Sequence, residues 1–168
     1  MDTYQNAEGT PLIAPQDQLN FFHHADASVP QGMTAFQAYC RMTESSPRLL
    51  RLAFFIRDSL SRLAGVRPIA GFTDTHSPSP PEPGQRLDFF EVVHCDDSSL
   101  HLLADDRHLS VLVAMTLQSA DDRCHRLNIT TSVKTHNTFG RLYMLPVSPA
   151  HGVIVRLMLA RVSTSVMS

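Results

Sequence analysis

An α+β domain, with a mostly antiparallel sheet wrapped around a C-terminal helix, is the fold predicted by this 168-residue sequence. Three observations predict it. Apolar residues recur at helical spacing between Thr34 and Gly65, the period changes to two from Leu87 to Lys134, and it returns to helical after Gly140. The last of these segments is too apolar to remain in water and must lie against the sheet. A hydrophobic fraction of 43% with 18% charged residues is ordinary for a globular chain, and the length suits one core.

Residues 1–17 mix polar residues with Pro11 and Pro15 and offer little apolar surface to offset their ordering entropy, so a mobile or loosely draped segment is expected there. The single domain then runs over 18–163, followed by a tail at 164–168. A first strand fits Leu19 to Val29, ending at Pro30-Gln31-Gly32. Thr34 and Gln37 form a capping box, and the helix they open carries Phe36, Tyr39 and Cys40 on one face before stopping near Ser45. Ser46-Pro47 opens a second helix with the stripe Leu49, Ala53, Ile56, Leu60 and Leu63, stopped by Gly65. The proline-dense stretch from Thr73 to Gly84 is a loop.

Four hairpin-linked strands follow. Leu87–His94 and Leu100–Ala104 are separated by the turn Cys95 to Ser99, and Asp105-Asp106-Arg107-His108 makes the next turn. Leu109, Val111, Val113, Met115 and Leu117 share one face of the third strand. After Asp121-Asp122-Arg123, Leu127, Ile129, Thr131 and Val133 alternate with Asn128, Thr130, Ser132 and Lys134. Ser148-Pro149 reads as the cap and first turn of the terminal helix, on which Ile154, Leu157 and Met158 lie toward the sheet. This order of one strand, two helices, a strand series and a long helix is that of the helix-grip class.

Several functions are disfavoured. A net charge of −2 with scattered Lys and Arg provides no basic stripe for nucleic acid. No run approaches the roughly 18–20 apolar residues of a bilayer span, and no signal peptide opens the chain, so no membrane partner and a cytoplasmic location are expected. Cys40, Cys95 and Cys124 are odd in number and widely spaced, against a disulfide framework or zinc knuckle. With no G-x-G-x-x-G or P-loop, no cofactor is expected.

Three segments carry a family likeness: Ala104-Asp105-Asp106-Arg107-His108-Leu109, Thr135-His136-Asn137-Thr138-Phe139-Gly140-Arg141-Leu142-Tyr143-Met144-Leu145-Pro146-Val147, and Pro149-Ala150-His151. With the paired helices after Ser46, they resemble the domain of unknown function 2867, found in bacterial proteins, over roughly residues 20–162. That family is similar to polyketide-cyclase and START-like helix-grip proteins, which implies a cavity between sheet and terminal helix. The family pattern has an acidic residue after His108-Leu109 and an arginine shortly beyond. Here Ser110-Val111-Leu112 stands instead, so no charge-based site carries over.

The candidate site residues follow from chemistry. His108 and His136, beside Asp106 and Asn137, have the pKa range for proton transfer at neutral pH, and Arg141 and Tyr143 could polarise a carbonyl. The competing reading, which fits these residue types better, makes Asp106 and Asn137 turn formers and the histidines staples to the helix. His94, Cys95, Asp96, His101 and their acidic neighbours are metal-ligand types, but turn roles explain the aspartates and no metal is expected. Two functions remain in view: binding of a small, mostly apolar metabolite lined by Phe89, Val111, Val113, Ile129, Val133, Leu157 and Met158, with Arg141 and Asn137 at its polar end, or cofactor-independent cyclisation, dehydration or isomerisation of such a ligand by His108 or His136. A homodimer formed through a sheet edge or helix face is a third reading.

Overall fold

The computed structural model describes residues 4–44, 79–120 and 124–163. The second helix expected after Ser46, the first half of the proline-rich loop, the Asp121-Asp122-Arg123 turn and the tail at 164–168 lie outside these residues. The elements are β1 (Tyr4–Gln5), β2 (Pro11–Leu12), a 3-10 turn (Gln16–Gln18), β3 (Phe21–Pro30), α1 (Ala35–Thr43), β4 (Arg86–Leu87), β5 (Phe90–Cys95), β6 (Ser99–Asp105), β7 (Leu109–Ser119), β8 (Cys124–Thr135) and α2 (Thr138–Ser163).

Six strands form one antiparallel sheet in the order β3-β8-β7-β6-β5-β4, and α1 and α2 pack on one face of it. This is an α+β helix-grip arrangement. The register puts Leu102 opposite Val113, and Met115 and Ala25 opposite Ile129. Period-two alternation therefore aims Ala25, Ala27, Val29, Leu100, Leu102, Val113, Met115, Leu127 and Ile129 at the helices, in one cluster with Phe36, Met42, Val155, Met158, Leu159 and Val162. Capping of α1 is as expected: Thr34 Oγ1 accepts from Gln37 N at 3.2 Å, and Gln37 Oε1 accepts from Thr34 N at 3.1 Å.

Four expectations are corrected. The N-terminal segment is tied down: β1 and β2 pair, and Leu12 is 1% exposed. The far side of the sheet supplies the reason, because Leu112 and Ala114 also need cover, β2 lies across β7, and Ser132 Oγ accepts from Ile13 N at 3.1 Å. The strand expected from Leu87 to His94 is broken by a tight turn at Asp88, whose φ of 56° is held by a 2.5 Å bond from Tyr39 Oη to its carboxylate. Burial and the adjacent Asp88 charge push the Tyr39 hydroxyl pKa far up.

Helix α2 begins ten residues before Ser148 and contains Pro146 and Pro149. Uninterrupted, it meets the length and composition of a bilayer span, with mean hydropathy 1.4 over 18 residues, which the scattered arginines and prolines concealed in the sequence. Its Val155, Met158, Leu159 and Val162 row packs into the sheet cluster, while Leu142, Leu145, Val153 and Leu157 remain exposed.

Candidate binding site

Strand β8 ends at Thr135, and α2 starts three residues later, so a short link must turn the chain sharply. Asn137 makes that turn. Its Oδ1 accepts from Gly140 N at 3.0 Å as the helix cap, and its amide donates to the Arg107 carbonyl at 3.0 Å, while His136 N donates to His108 O at 2.8 Å. The first turn of α2 is thereby pressed onto the β6–β7 turn. A Cβ at Gly140 would run into the His108 carbonyl oxygen, so only glycine permits this approach.

Arg141, Met144, Leu145 and Ser148 then border a groove of about 230 Å³, faced across the gap by Asn20 and Thr135. Asn20 Oδ1 accepts from Thr135 N at 2.7 Å, which joins the start of β3 to the end of β8 and, among the described residues, leaves the Asn20 NH2 as the uncommitted half of its amide. The Thr135 side chain lies on the helix side of the sheet with its residue 7% exposed, and its buried Oγ1 has no partner among the described residues. Ser148 Oγ donates to Met144 O at 2.7 Å.

One turn further, His151 packs edge-on against Phe21 and His23, with ring centroids 5.4 and 5.1 Å away, and its Nε2 lies 3.2 Å from Thr131 Oγ1. Burial, then the neighbouring His23, pushes the His151 pKa down to about 4. His23 is also lowered, by burial first and then by His24 and Arg156, and its Nδ1 is buried without a partner among the described residues.

The family described as "Protein of unknown function (DUF2867)" matches residues 16–158. The chain belongs to DUF2867. Among solved structures, this DUF2867 chain is similar to a conserved protein from Geobacillus kaustophilus, at 9% identity over 86% of this chain and 95% of that one, with a TM-score of 0.42. It is also similar to a hypothetical protein from Helicobacter pylori, at 14% identity over 96% and 99%, again with a TM-score of 0.42. No curated protein matches.

In this DUF2867 chain the other expected site residues divide by role. Asp106 Oδ1 accepts from His108 N at 2.6 Å and Leu109 N at 3.0 Å, closing the β6–β7 turn. His108 is a staple: Nε2 accepts from Arg107 Nε at 2.9 Å, Nδ1 lies 3.2 Å from Asn137 Oδ1, and the ring sits 4.7 Å from Phe139. His136 lies with Ser110 and Asp105, its Nε2 2.6 Å from Ser110 Oγ, which donates to the Asp105 carboxylate. Tyr143 is half-buried on α2.

The expected cavity lining does not converge. Ile129 and Met158 are core, Val113 and Phe89 pack against that core, Val133 is buried opposite Val111, and Leu157 is 45% exposed. Leu157 turns outward because Val155, Met158 and Leu159 take the inner face, and a neighbouring helical residue is rotated by about 100°. Asn20, Thr135, Met144 and His23 were not singled out as site residues by sequence, and Ser148 was read as a helix cap. For His23 a signal existed, since strand alternation places it on the face of Ala25, Ala27 and Val29.

Among the described residues no three His, Cys, Asp or Glu side chains converge on a metal-sized site. A bulge between Val92 and His94 sets His94 beside His101, centroids 5.1 Å apart, while Cys95 packs against the core. His94 Nε2 instead meets Asp96 at 2.8 Å. That bond first, with others from Ser98 and Ser99, holds the Asp96 carboxyl at about 2.

Proposed function

We propose that this DUF2867 domain binds a small, mostly apolar metabolite in the groove between its sheet and the start of the terminal helix. One observation above the others supports the reading: Thr135, whose buried hydroxyl lacks a partner among the described residues, is one of the residues that border a concavity of about 230 Å³ walled by Met144 and Leu145. An unsatisfied buried hydroxyl costs about 1–3 kcal/mol, and turning the Thr135 side chain to meet a polar ligand atom in the groove would remove that cost. The sheet–helix interior beyond His151 is filled by Met115, Leu127, Val155 and Met158, which moves the guest to the end of the helix. The near-neutral charge balance suits a cytoplasmic protein acting on a small molecule.

Native mass spectrometry of freshly purified protein, followed by a screen of small aliphatic and aromatic compounds, tests this. Bound mass or a screen hit that disappears in Met144→Trp, which fills the groove, is the expected result. A chain that binds nothing in either experiment, or binds equally well after Met144→Trp, rejects it.

A second reading, proton-transfer catalysis as in a cyclase, dehydratase or isomerase, is favoured by the Asp105–Ser110–His136 chain, along which a proton can pass between imidazole and carboxylate. It transfers the role from His108 to His136. If His136→Gln leaves turnover of the bound metabolite unchanged, this reading is lost.

A further inference from the structure

Resting on the binding reading above, we infer that the ligand of this groove is a short monocarboxylate, its head group neutralised by Arg141 and anchored by Thr135 and Asn20. Three of the residues that border the groove, Arg141, Asn20 and Thr135, carry donors. Arg141 is exposed and, among the described residues, meets no carboxylate within ion-pair distance. Thr135, whose buried hydroxyl has no partner among the described residues, contributes it once its side chain turns toward the groove, and Asn20 contributes its NH2, because its carbonyl oxygen accepts from Thr135 N. The Ser148 hydroxyl hydrogen is committed to the Met144 carbonyl. Among the described residues no Asp or Glu lines the groove.

A neutral carbonyl would satisfy Thr135 and Asn20 and leave the guanidinium without its anion. A carboxylate, with two oxygens and about four lone-pair directions, satisfies all three groups. A phosphate fits less well, because the groove has one cation and the first turn of α2 is already capped by Asn137. The volume of about 230 Å³ matches seven or eight waters at roughly 30 Å³ each, and the Met144 and Leu145 walls suit an aliphatic tail. A chain of about six carbons follows.

Isothermal titration of hexanoate, hexanamide and 1-hexanol into the wild type, Arg141→Gln and Thr135→Val decides the matter. Hexanoate is expected to bind at least about tenfold more tightly than either neutral compound. Arg141→Gln erases that preference and leaves 1-hexanol unaffected. Thr135→Val weakens hexanoate and hexanamide but not 1-hexanol. Hexanamide or 1-hexanol binding as tightly as hexanoate, or a preference that survives Arg141→Gln, overturns the carboxylate inference and leaves the groove as a binding site. Absence of binding by all three to the wild type overturns both.

Discussion

The two halves of the terminal helix meet the same sheet in opposite ways. From Val155 to Val162, α2 is part of a dry cluster with Val29, Phe36, Met115 and Leu127. From Arg141 to His151, it borders an open groove and a threonine hydroxyl without a partner among the described residues, and its own His151 packs on His23, both with pKa values held down. The dry half supplies the burial that fixes the helix. The other half can then keep features that lower stability, and such local conflicts with good packing mark functional sites.

The largest expected effect comes from truncating each half. Leu127→Ala, at a fully buried position, should cost about 2–5 kcal/mol in urea denaturation. Met144→Ala, beside a groove that is already open, should cost clearly less, at or below the bottom of that range. Equal losses would erase the distinction between the halves.

Acidification comes next. His151 titrates at about 4 in the fold against an ordinary 6.5, so the unfolded chain takes up its proton first. Stability from this group is complete above pH 6.5 and is lost progressively as pH falls from there toward 4, by up to about 3 kcal/mol. His23 faces it from β3 and, itself lowered by burial, His24 and Arg156, adds loss of the same sign. Urea midpoints at pH 7.5, 5.5 and 4 should show this decline, and His151→Gln should flatten it; an unchanged slope would mean the imidazole is not held neutral by the interface.

The smallest effect has the opposite sign. Thr135→Val replaces a buried, unpartnered hydroxyl with a methyl of similar shape and should stabilise the ligand-free protein by about 1 kcal/mol. Destabilisation in a thermal melt would show that the hydroxyl is satisfied in the free protein.

Much of the dry half was legible in the sequence. Alternation from Leu100 to Val133 set strand faces that the register reproduces, and the Thr34 and Gln37 pair marked the start of α1. The start of α2 was hidden by Pro146 and Pro149, since proline in a helix interior costs about 3 kcal/mol. Packing overrides that cost from both ends, through the Asn137 cap and the Val155 to Val162 row.

The candidate site was legible only as a neighbourhood. The segments around His108 and His136 pointed to the end of the sheet beside the groove, but Asp106, His108 and Asn137 close the turn and cap the helix there. The groove depends on Asn20 meeting Thr135 across a separation of 115 residues, and no local pattern announces a contact of that span.

Methionine methyl groups report on both halves at once. In protein labelled with 13C at its methionine methyls and titrated with hexanoate, the Met144 signal should shift while Met115 and Met158 stay in place. Movement of Met115 and Met158 with Met144 unchanged would put the guest inside the dry half and contradict the account.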